Sequence, residues 1–87
     1  MLKIYGSIWC PHCTKTVEYL KNNSIEFEYF EIEKQSENTI KKIIEVNGGD
    51  DWVVPTLEFN GKWREGKIYN EKELDYDLQE LGLKSYK

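Results

Sequence analysis

The sequence predicts an α/β fold, in which one mixed four-stranded sheet is flanked by three helices. Three features carry this prediction. Strand-like and helix-like stretches alternate in the first half of the chain, as they do in a parallel βαβ unit. Asn60-Gly61 lies between two strand-like stretches and is the strongest short-range signal for a β-hairpin. Leucines at helical spacing follow near the C-terminus, so we expect the order β-α-β-α-β-β-α in a single domain over residues 1–87.

Local patterns predict the first three elements. Residues 1–5 alternate between apolar and polar side chains, as expected for a half-buried strand. A helix is predicted over Pro11–Asn22, because proline suits a first helical position and apolar residues then recur at helical spacing. Residues 25–32 are rich in aromatic and branched side chains and predict a second strand. Their apolar positions change parity between Tyr29 and Phe30, which indicates either partial burial on both faces or a bulge.

Turn and cap residues predict the second half of the chain. A second helix carries an isoleucine stripe and ends at residues 47–49, where two glycines provide the stop. Residues 56–59 form the next strand, and residues 62–65 return antiparallel after the turn. Asn70 and Glu73 resemble a capping box that begins a last helix, which a glycine closes. The predicted core-facing residues of these two helices are Ile40, Ile43, Ile44, Leu74, Leu78 and Leu81.

The composition excludes several functional classes. The net charge is -4 and the pI is about 5.0, so the chain lacks the concentrated basic face that nucleic-acid phosphates require. No stretch is long and apolar enough to span a membrane, and the N-terminus lacks the apolar core of a secretory signal. We therefore expect a cytoplasmic monomer that binds neither nucleic acid nor membranes.

The two cysteines of the chain, Cys10 and Cys13, are separated by two residues. A structural disulfide is disfavoured because the cytosol is reducing. Half of a zinc site is disfavoured because a closed structural site takes four ligands and the chain has no third cysteine, although a site between subunits stays open as an alternative. A redox-active dithiol needs only the residues that are present. We therefore interpret the pair as redox-active and expect no metal.

The position of the pair at a strand-to-helix junction predicts different roles for the two sulfurs. Cys10 lies at the start of the helix, where unpaired N–H groups and the positive end of the helix dipole favour the thiolate. Cys13 lies one turn further along, on the inner side of the helix, and is expected to be shielded and less ionised. Cys10 is therefore predicted to attack a substrate disulfide, and Cys13 to resolve the mixed disulfide that forms.

Three neighbours of the cysteines are further candidates. Pro11 and His12 lie between the cysteines and are predicted to tune the acidity of Cys10, His12 through its charge or its N–H group. The alternative for His12 is an exposed spacer without an electrostatic role. Trp9 precedes Cys10 and either forms an apolar platform for a partner chain or packs against the domain.

These residues, in this order, resemble the thioredoxin superfamily and specifically a glutaredoxin-like member. The resemblance covers nearly the whole chain: the element order, the length, Trp-Cys-Pro-His-Cys at residues 9–13, Val-Val-Pro-Thr at residues 53–56, and a glycine before the last helix. It implies that the Val54–Pro55 peptide bond is cis and faces the cysteines, and that the Val54 backbone pairs with a bound substrate. The candidate substrate-binding residues are Trp9, Val54, Pro55 and Gly66.

The resemblance implies a thiol–disulfide oxidoreductase of electron transport and redox homeostasis, which reduces protein or glutathione-mixed disulfides without a bound cofactor. Its electrons would come from glutathione, acting as a co-substrate, or from a thioredoxin reductase. Departures from glutathione-using relatives favour the reductase, since residues 7–9 include no basic side chain, Glu65 replaces a glycine beside Gly66, and Asn70 replaces an acid. The alternative functions are an iron–sulfur cluster binding or delivery module, against which Pro11 counts, and a small binding domain with a vestigial site.

Overall fold

The structure is a computed structural model that describes residues 1–83, so the end of the predicted domain at residue 87 lies outside the described part. Its strands are β1 (Leu2–Gly6), β2 (Phe27–Glu31), β3 (Thr56–Phe59) and β4 (Lys62–Arg64), and its helices are α1 (Pro11–Asn22), α2 (Glu37–Val46) and α3 (Glu71–Glu80). The predicted element order is confirmed. A 3₁₀ turn over Ile32–Lys34, which the sequence pattern does not predict, connects β2 to α2. None of the helices in this part of the chain combines the length and apolar character needed to cross a membrane.

One sheet holds the four strands in the order β2-β1-β3-β4. β1 runs parallel to β2 and antiparallel to β3, and β3 pairs antiparallel with β4. The predicted mixed four-stranded sheet is therefore confirmed. Because β1 is central, the loop that follows it emerges between its two neighbouring strands.

Helices cover both faces of the sheet, because successive side chains of β1 point to opposite sides. Leu2 and Ile4 are fully buried on one face, in a cluster with residues of α1 and α3. Tyr5 lies on the other face, where it clusters with Ile43 of α2. The predicted leucines of α3 are buried, and of the isoleucine stripe Ile43 is buried and the other two are half-buried. The core is thus split into two layers by the sheet.

The second strand is shorter than predicted and carries no bulge. β2 spans Phe27–Glu31 rather than residues 25–32, and its five residues pair with β1 in continuous register. Phe27 packs against the α1 and α3 side of the core, and Phe30 packs against the α2 side. The change of parity therefore reflects partial burial on both faces of an edge strand.

The hairpin between β3 and β4 turns at the predicted dipeptide. Asn60 and Gly61 have positive φ angles of 51° and 86°, as a two-residue hairpin turn requires. β4 is one residue shorter than predicted and ends at Arg64. The chain then leaves the sheet, and the Gly66 N–H donates a hydrogen bond to the side chain of Asn47.

The last helix begins and ends at the predicted residues. The Asn70 side chain accepts a hydrogen bond from the Glu73 backbone N–H at 2.9 Å and so caps the start of α3. Gly82 follows the helix with a φ angle of 105°, a conformation that glycine adopts without strain.

Asp77 of α3 joins the hairpin to the last helix. Its Oδ2 accepts hydrogen bonds from Arg64 Nε and Lys67 Nζ, each at 2.9 Å. Arg64 is buried, so its guanidinium depends on this carboxylate for charge compensation. Burial acts to raise the pKa of Asp77, but the hydrogen bonds from Lys67 and Arg64 outweigh burial and lower the pKa below its ordinary value.

Asp77→Asn is expected to lower the free energy of unfolding by about 2–3 kcal/mol near neutral pH, since Arg64 keeps a buried charge without its carboxylate. In the wild type, the contribution of Asp77 is complete above the ordinary pKa of 3.8 and is lost as the pH falls through the lowered pKa of the folded state. Urea denaturation at neutral pH and at about pH 2 checks both statements, because the difference between the two proteins should shrink in acid. Glu80→Gln, at the exposed end of α3, is the control and should change stability by less than about 0.5 kcal/mol. Equal losses for the two variants would contradict this account.

Candidate active site

Cys10 and Cys13 lie at the junction between β1 and α1. Cys10 immediately precedes the helix, with extended φ and ψ angles of -92° and 117°, and Pro11 is the first helical residue. The backbone N–H groups of Cys13 and Thr14 both donate to the Cys10 carbonyl at 3.1 Å, so the helix begins at the motif. Cys10 therefore lies at the end of α1 that carries its unpaired N–H groups and the positive end of its dipole.

The two sulfurs have different surroundings, although both thiols are free and largely buried. Cys10 Sγ lies 4.0 Å from the Val54 carbonyl oxygen, within reach as a weak S–H donor. Cys13 is only 1% exposed, compared with 6% for Cys10, and its Sγ accepts a hydrogen bond from the Ser7 backbone N–H at 3.4 Å. Cys10 is therefore the more exposed of the two cysteines.

Burial raises the pKa of the Cys13 thiol, and the neighbouring Cys10 and the Glu31 carboxylate raise it further. The Ser7 N–H opposes this shift by donating to the sulfur but does not outweigh burial. The end of β1 packs directly on this sulfur, since a Cβ added at Gly6 would lie 3.0 Å from Cys13 Sγ. Cys13 therefore keeps its proton near neutral pH, as its position on the inner side of the helix predicts.

Val54 and Pro55 form the wall opposite Cys10. Their peptide bond is cis, as the resemblance implies, and Pro55 is buried. Gly66 lies against this wall, because a Cβ added at Gly66 would come 2.5 Å from Val53 Cγ1. Only glycine allows so close an approach, so Gly66 acts on the site through Val53 rather than by touching the sulfurs.

Asn47 fixes this wall to the rest of the fold, and the sequence did not identify it as a site residue. Its Oδ1 accepts a hydrogen bond from the Gly66 N–H at 2.7 Å, and its Nδ2 donates to Thr56 Oγ1 at 3.0 Å. Thr56 Oγ1 in turn donates to the Val53 carbonyl at 2.6 Å. One side chain at the end of α2 thereby holds both flanks of the cis peptide. An asparagine followed by two glycines predicts a helix end and gives no signal of partners nine and nineteen residues away.

His12 and Trp9 have hydrogen-bond partners other than the sulfurs. His12 Nδ1 accepts a hydrogen bond from the Tyr69 N–H at 3.1 Å, which joins α1 to the segment before α3. An imidazole that accepts at Nδ1 carries its proton on Nε2. Trp9 is 61% exposed and its Nε1 donates to Glu33 at 3.2 Å, so the indole does not pack into the core. The predicted roles of His12 in tuning Cys10 and of Trp9 as a platform stay predictions.

Asn47→Ala is expected to lower the free energy of unfolding by about 2–3 kcal/mol, because the Gly66 N–H and the Thr56 hydroxyl both lose a partner. Asn23 at the end of α1 provides a matched control. Its Nδ2 donates to the helix carbonyl four residues earlier at 2.9 Å, as that of Asn47 does at 2.8 Å, but it reaches no second loop in the described part of the chain. Asn23→Ala should therefore cost only about 1 kcal/mol.

Urea denaturation measures both losses, and hydrogen exchange at the Gly66 N–H reports on the loop itself. After correction for any change in global stability, exchange at the Gly66 N–H should be faster in Asn47→Ala and unchanged in Asn23→Ala. Equal losses of stability, with unchanged exchange at Gly66, would show that Asn47 is only a helix cap.

Comparisons with known proteins identify the family to which this fold belongs. The family model for glutaredoxin matches residues 2–63 of the chain. The solved structure of a glutaredoxin from Archaeoglobus fulgidus is 32% identical in sequence and superimposes with a TM-score of 0.68, over 86% of this chain and 82% of that chain. A glutaredoxin from Methanosarcina mazei Go1, at 24% identity, shares the fold with a TM-score of 0.70 over 94% of this chain and 78% of that chain.

One curated protein shares a shorter stretch. It comes from Clostridium pasteurianum, is described as an uncharacterized glutaredoxin-like 8.6 kDa protein in a rubredoxin operon, and is 56% identical over 27 residues. The match covers 31% of this chain and 36% of that protein, so the chain spans about a third of the length of this relative. The match to the family model over most of the chain, together with the Archaeoglobus structure, shows that the chain belongs to the glutaredoxin family.

Proposed function

We propose that the chain is a thiol–disulfide oxidoreductase that reduces protein disulfides through Cys10 and Cys13. One observation carries the proposal: two free thiols lie at the start of one helix, one beside the Val54 backbone and the other buried behind it. Membership of the glutaredoxin family supports this class of chemistry. Glutathione-mixed disulfides of proteins are substrates of the same chemical kind.

The two thiols suit a two-step exchange. The Cys10 thiolate attacks one sulfur of a substrate disulfide, a Cys10–substrate disulfide forms, and the other substrate sulfur leaves as a thiolate that takes up a proton. Cys13 then gives up its proton and attacks Cys10 Sγ, which forms the Cys10–Cys13 disulfide and releases the second substrate thiol. The substrate gains two electrons and two protons, which the dithiol loses. Pro11 starts the helix at Cys10, and the hydrogen bond from Tyr69 to Nδ1 leaves the Nε2 N–H of His12 available as a donor.

Substrate binding uses the wall beside Cys10. The Val54 backbone lies next to Cys10 Sγ and offers a strand-like partner to an extended substrate segment. Pro55 has no N–H group that could compete for that segment. Trp9 adds exposed aromatic surface on the other side, and Gly66 holds the wall in place through Val53.

A reductase of the thioredoxin reductase type is the electron donor that the charges favour over glutathione. Glutathione carries two carboxylates, whose binding is strengthened by cations near the site. Lys67 already binds Asp77 and lies 3.8 Å from Glu73, and the loop before Cys10 carries no cation. Reduction of the protein disulfide by the two systems in parallel distinguishes the donors. We place this activity in the cytoplasm, where it would serve redox homeostasis.

Cys10→Ser is expected to lower the rate of protein-disulfide reduction by about 10³-fold or more, since the remaining thiol, Cys13, is buried and its pKa is raised. Cys13→Ser keeps the attacking sulfur and loses the resolving one, so the mixed disulfide should accumulate and appear as an added mass equal to the substrate thiol. Intact-mass spectrometry and a coupled reduction assay measure the two effects. Lys15→Ala changes an exposed residue of α1 and should retain the activity.

Turnover by Cys10→Ser would refute the assigned nucleophile, and the lack of any trapped species in Cys13→Ser would refute the resolving role. The alternative functions make different predictions. An iron–sulfur module should develop a visible absorption band after anaerobic reconstitution with iron and sulfide. A vestigial site should leave Cys10 unreactive toward iodoacetamide near neutral pH.

A further inference from the structure

Exposed apolar side chains flank the cysteine motif and the wall opposite Cys10. Among the described residues, the exposed large hydrophobic side chains are Met1, Ile8, Trp9, Tyr29, Val53, Ile68 and Tyr76. Four of these form what we call the apolar rim, namely Ile8, Trp9, Val53 and Ile68. Ile8 and Trp9 directly precede Cys10 in the sequence. Val53 precedes Val54 of the wall, and Ile68 precedes Tyr69, whose N–H binds His12. Ile8 is 83% exposed and Ile68 is 74% exposed, so the rim is open to a partner.

Two carboxylates border the apolar rim without a cationic partner. Glu31 Oε1 accepts a hydrogen bond from the Ile8 backbone N–H at 3.3 Å, and Glu33 Oε1 accepts one from Trp9 Nε1 at 3.2 Å. Among residues 1–83, neither carboxylate lies within 4.0 Å of a lysine, arginine or histidine nitrogen. Glu65 adds a further exposed carboxylate, directly before Gly66, which packs against Val53.

Two cations between the end of β4 and the start of α3 are already paired with carboxylates. Arg64 and Lys67 both bind Asp77, and Lys67 also lies 3.8 Å from Glu73, so two carboxylates oppose these two cations. Lys34 follows Glu33 in the sequence, at the end of the 3₁₀ turn, and is the one lysine adjacent in sequence to either Glu31 or Glu33. The border of the rim is therefore negative on balance.

A groove continues the apolar rim along α1 and β2. Its volume is about 470 Å³, and its apolar lining includes Ile8, Val17, Phe27 and Tyr29. Cys13 also borders the groove, as do Glu18 and Lys21, which contribute one charge of each sign. The groove gives space for an apolar side chain of a docked segment.

We infer that this surface docks protein segments in which an apolar residue flanks the disulfide and lysine or arginine residues lie close by. The inference deepens the proposed function and rests on it, since the docked segment presents its disulfide to Cys10. The apolar residue of the docked segment removes exposed rim surface from water. Its cations reach the carboxylates of Glu31 and Glu33, which have no cationic partner among residues 1–83. An acidic segment meets the same carboxylates as like charges and docks poorly.

Two synthetic peptides test this preference with the fully reduced protein in a single-turnover reaction. Both contain one intramolecular disulfide with leucine beside a cysteine, and they differ only in having two flanking lysines or two flanking glutamates. Each rate is divided by the rate of the same peptide with dithiothreitol, which removes differences in the disulfides themselves. We expect the lysine peptide to react about tenfold faster at about 50 mM salt, with a smaller ratio at about 500 mM.

Isosteric variants locate the preference on the protein. Glu31→Gln with Glu33→Gln keeps oxygen acceptors for Ile8 and Trp9 but removes two charges, and should reduce the ratio about threefold. Glu26→Gln with Glu28→Gln also removes two exposed charges, one just before β2 and one within it. This double variant should leave the ratio nearly unchanged.

Ile68→Ser tests the apolar part of the inference and should slow both peptides equally, by about threefold. Equal normalised rates for the two peptides in the wild type would overturn the inference, as would a ratio that falls equally in both double variants. An unchanged rate in Ile68→Ser would overturn its apolar part. If the protein reduced neither peptide, the proposed function itself would be overturned.

Discussion

The pairing of β1 with β3 is the constraint on which the candidate site depends. Tyr5 near the end of β1 lies opposite Thr56 at the start of β3, so the loop after β1 and the loop before β3 meet at one end of the sheet. The first loop leads to Cys10, and the second ends in the cis Val54–Pro55 peptide. Leu57 is fully buried, and a one-residue slip would turn it to the opposite face. The packing of the core therefore fixes the distance between Cys10 Sγ and the wall formed by Val54 and Pro55.

The start of α1 then gives two identical functional groups different chemistry. Cys10 lies before the first turn, beside N–H groups that no carbonyl in the helix can reach. Cys13 lies one turn deeper, packed on Gly6 and shielded from water, and this burial raises its pKa. Access to the Val54 backbone at one sulfur and a raised pKa at the other predict the order of attack in the proposed exchange. That order follows from the spacing of the pair, which places Cys10 before the helix and Cys13 on its buried side.

The parts of the structure that sequence predicted are those that local rules specify. Proline at the first helical position fixed the start of α1, and the Asn60-Gly61 turn fixed the hairpin, because each acts through its own backbone angles. Asn47 escaped prediction, since its cap signal is local while its partners lie in two other loops. The ion pair between Arg64 and Asp77 escaped for the same reason, because an exposed and a buried arginine look alike in a sequence. The cis peptide could be anticipated only through the family resemblance, since most X–Pro bonds are trans.

Chemistry and partner choice depend on different parts of this molecule. Sulfur exchange depends on contacts of a few ångströms, namely the helix start, the Ser7 N–H and the Val54 carbonyl. Partner choice depends on groups that touch neither sulfur, such as the carboxylates of Glu31 and Glu33, whose fields extend over about a Debye length of roughly 8–10 Å. The glutaredoxin family can therefore keep one exchange reaction while its members differ in the charge around it. In this chain, Arg64 and Lys67 are bound to Asp77, whereas the carboxylates of Glu31 and Glu33 have no cationic partner among residues 1–83, and this imbalance is the basis of the proposed preference for positive partners.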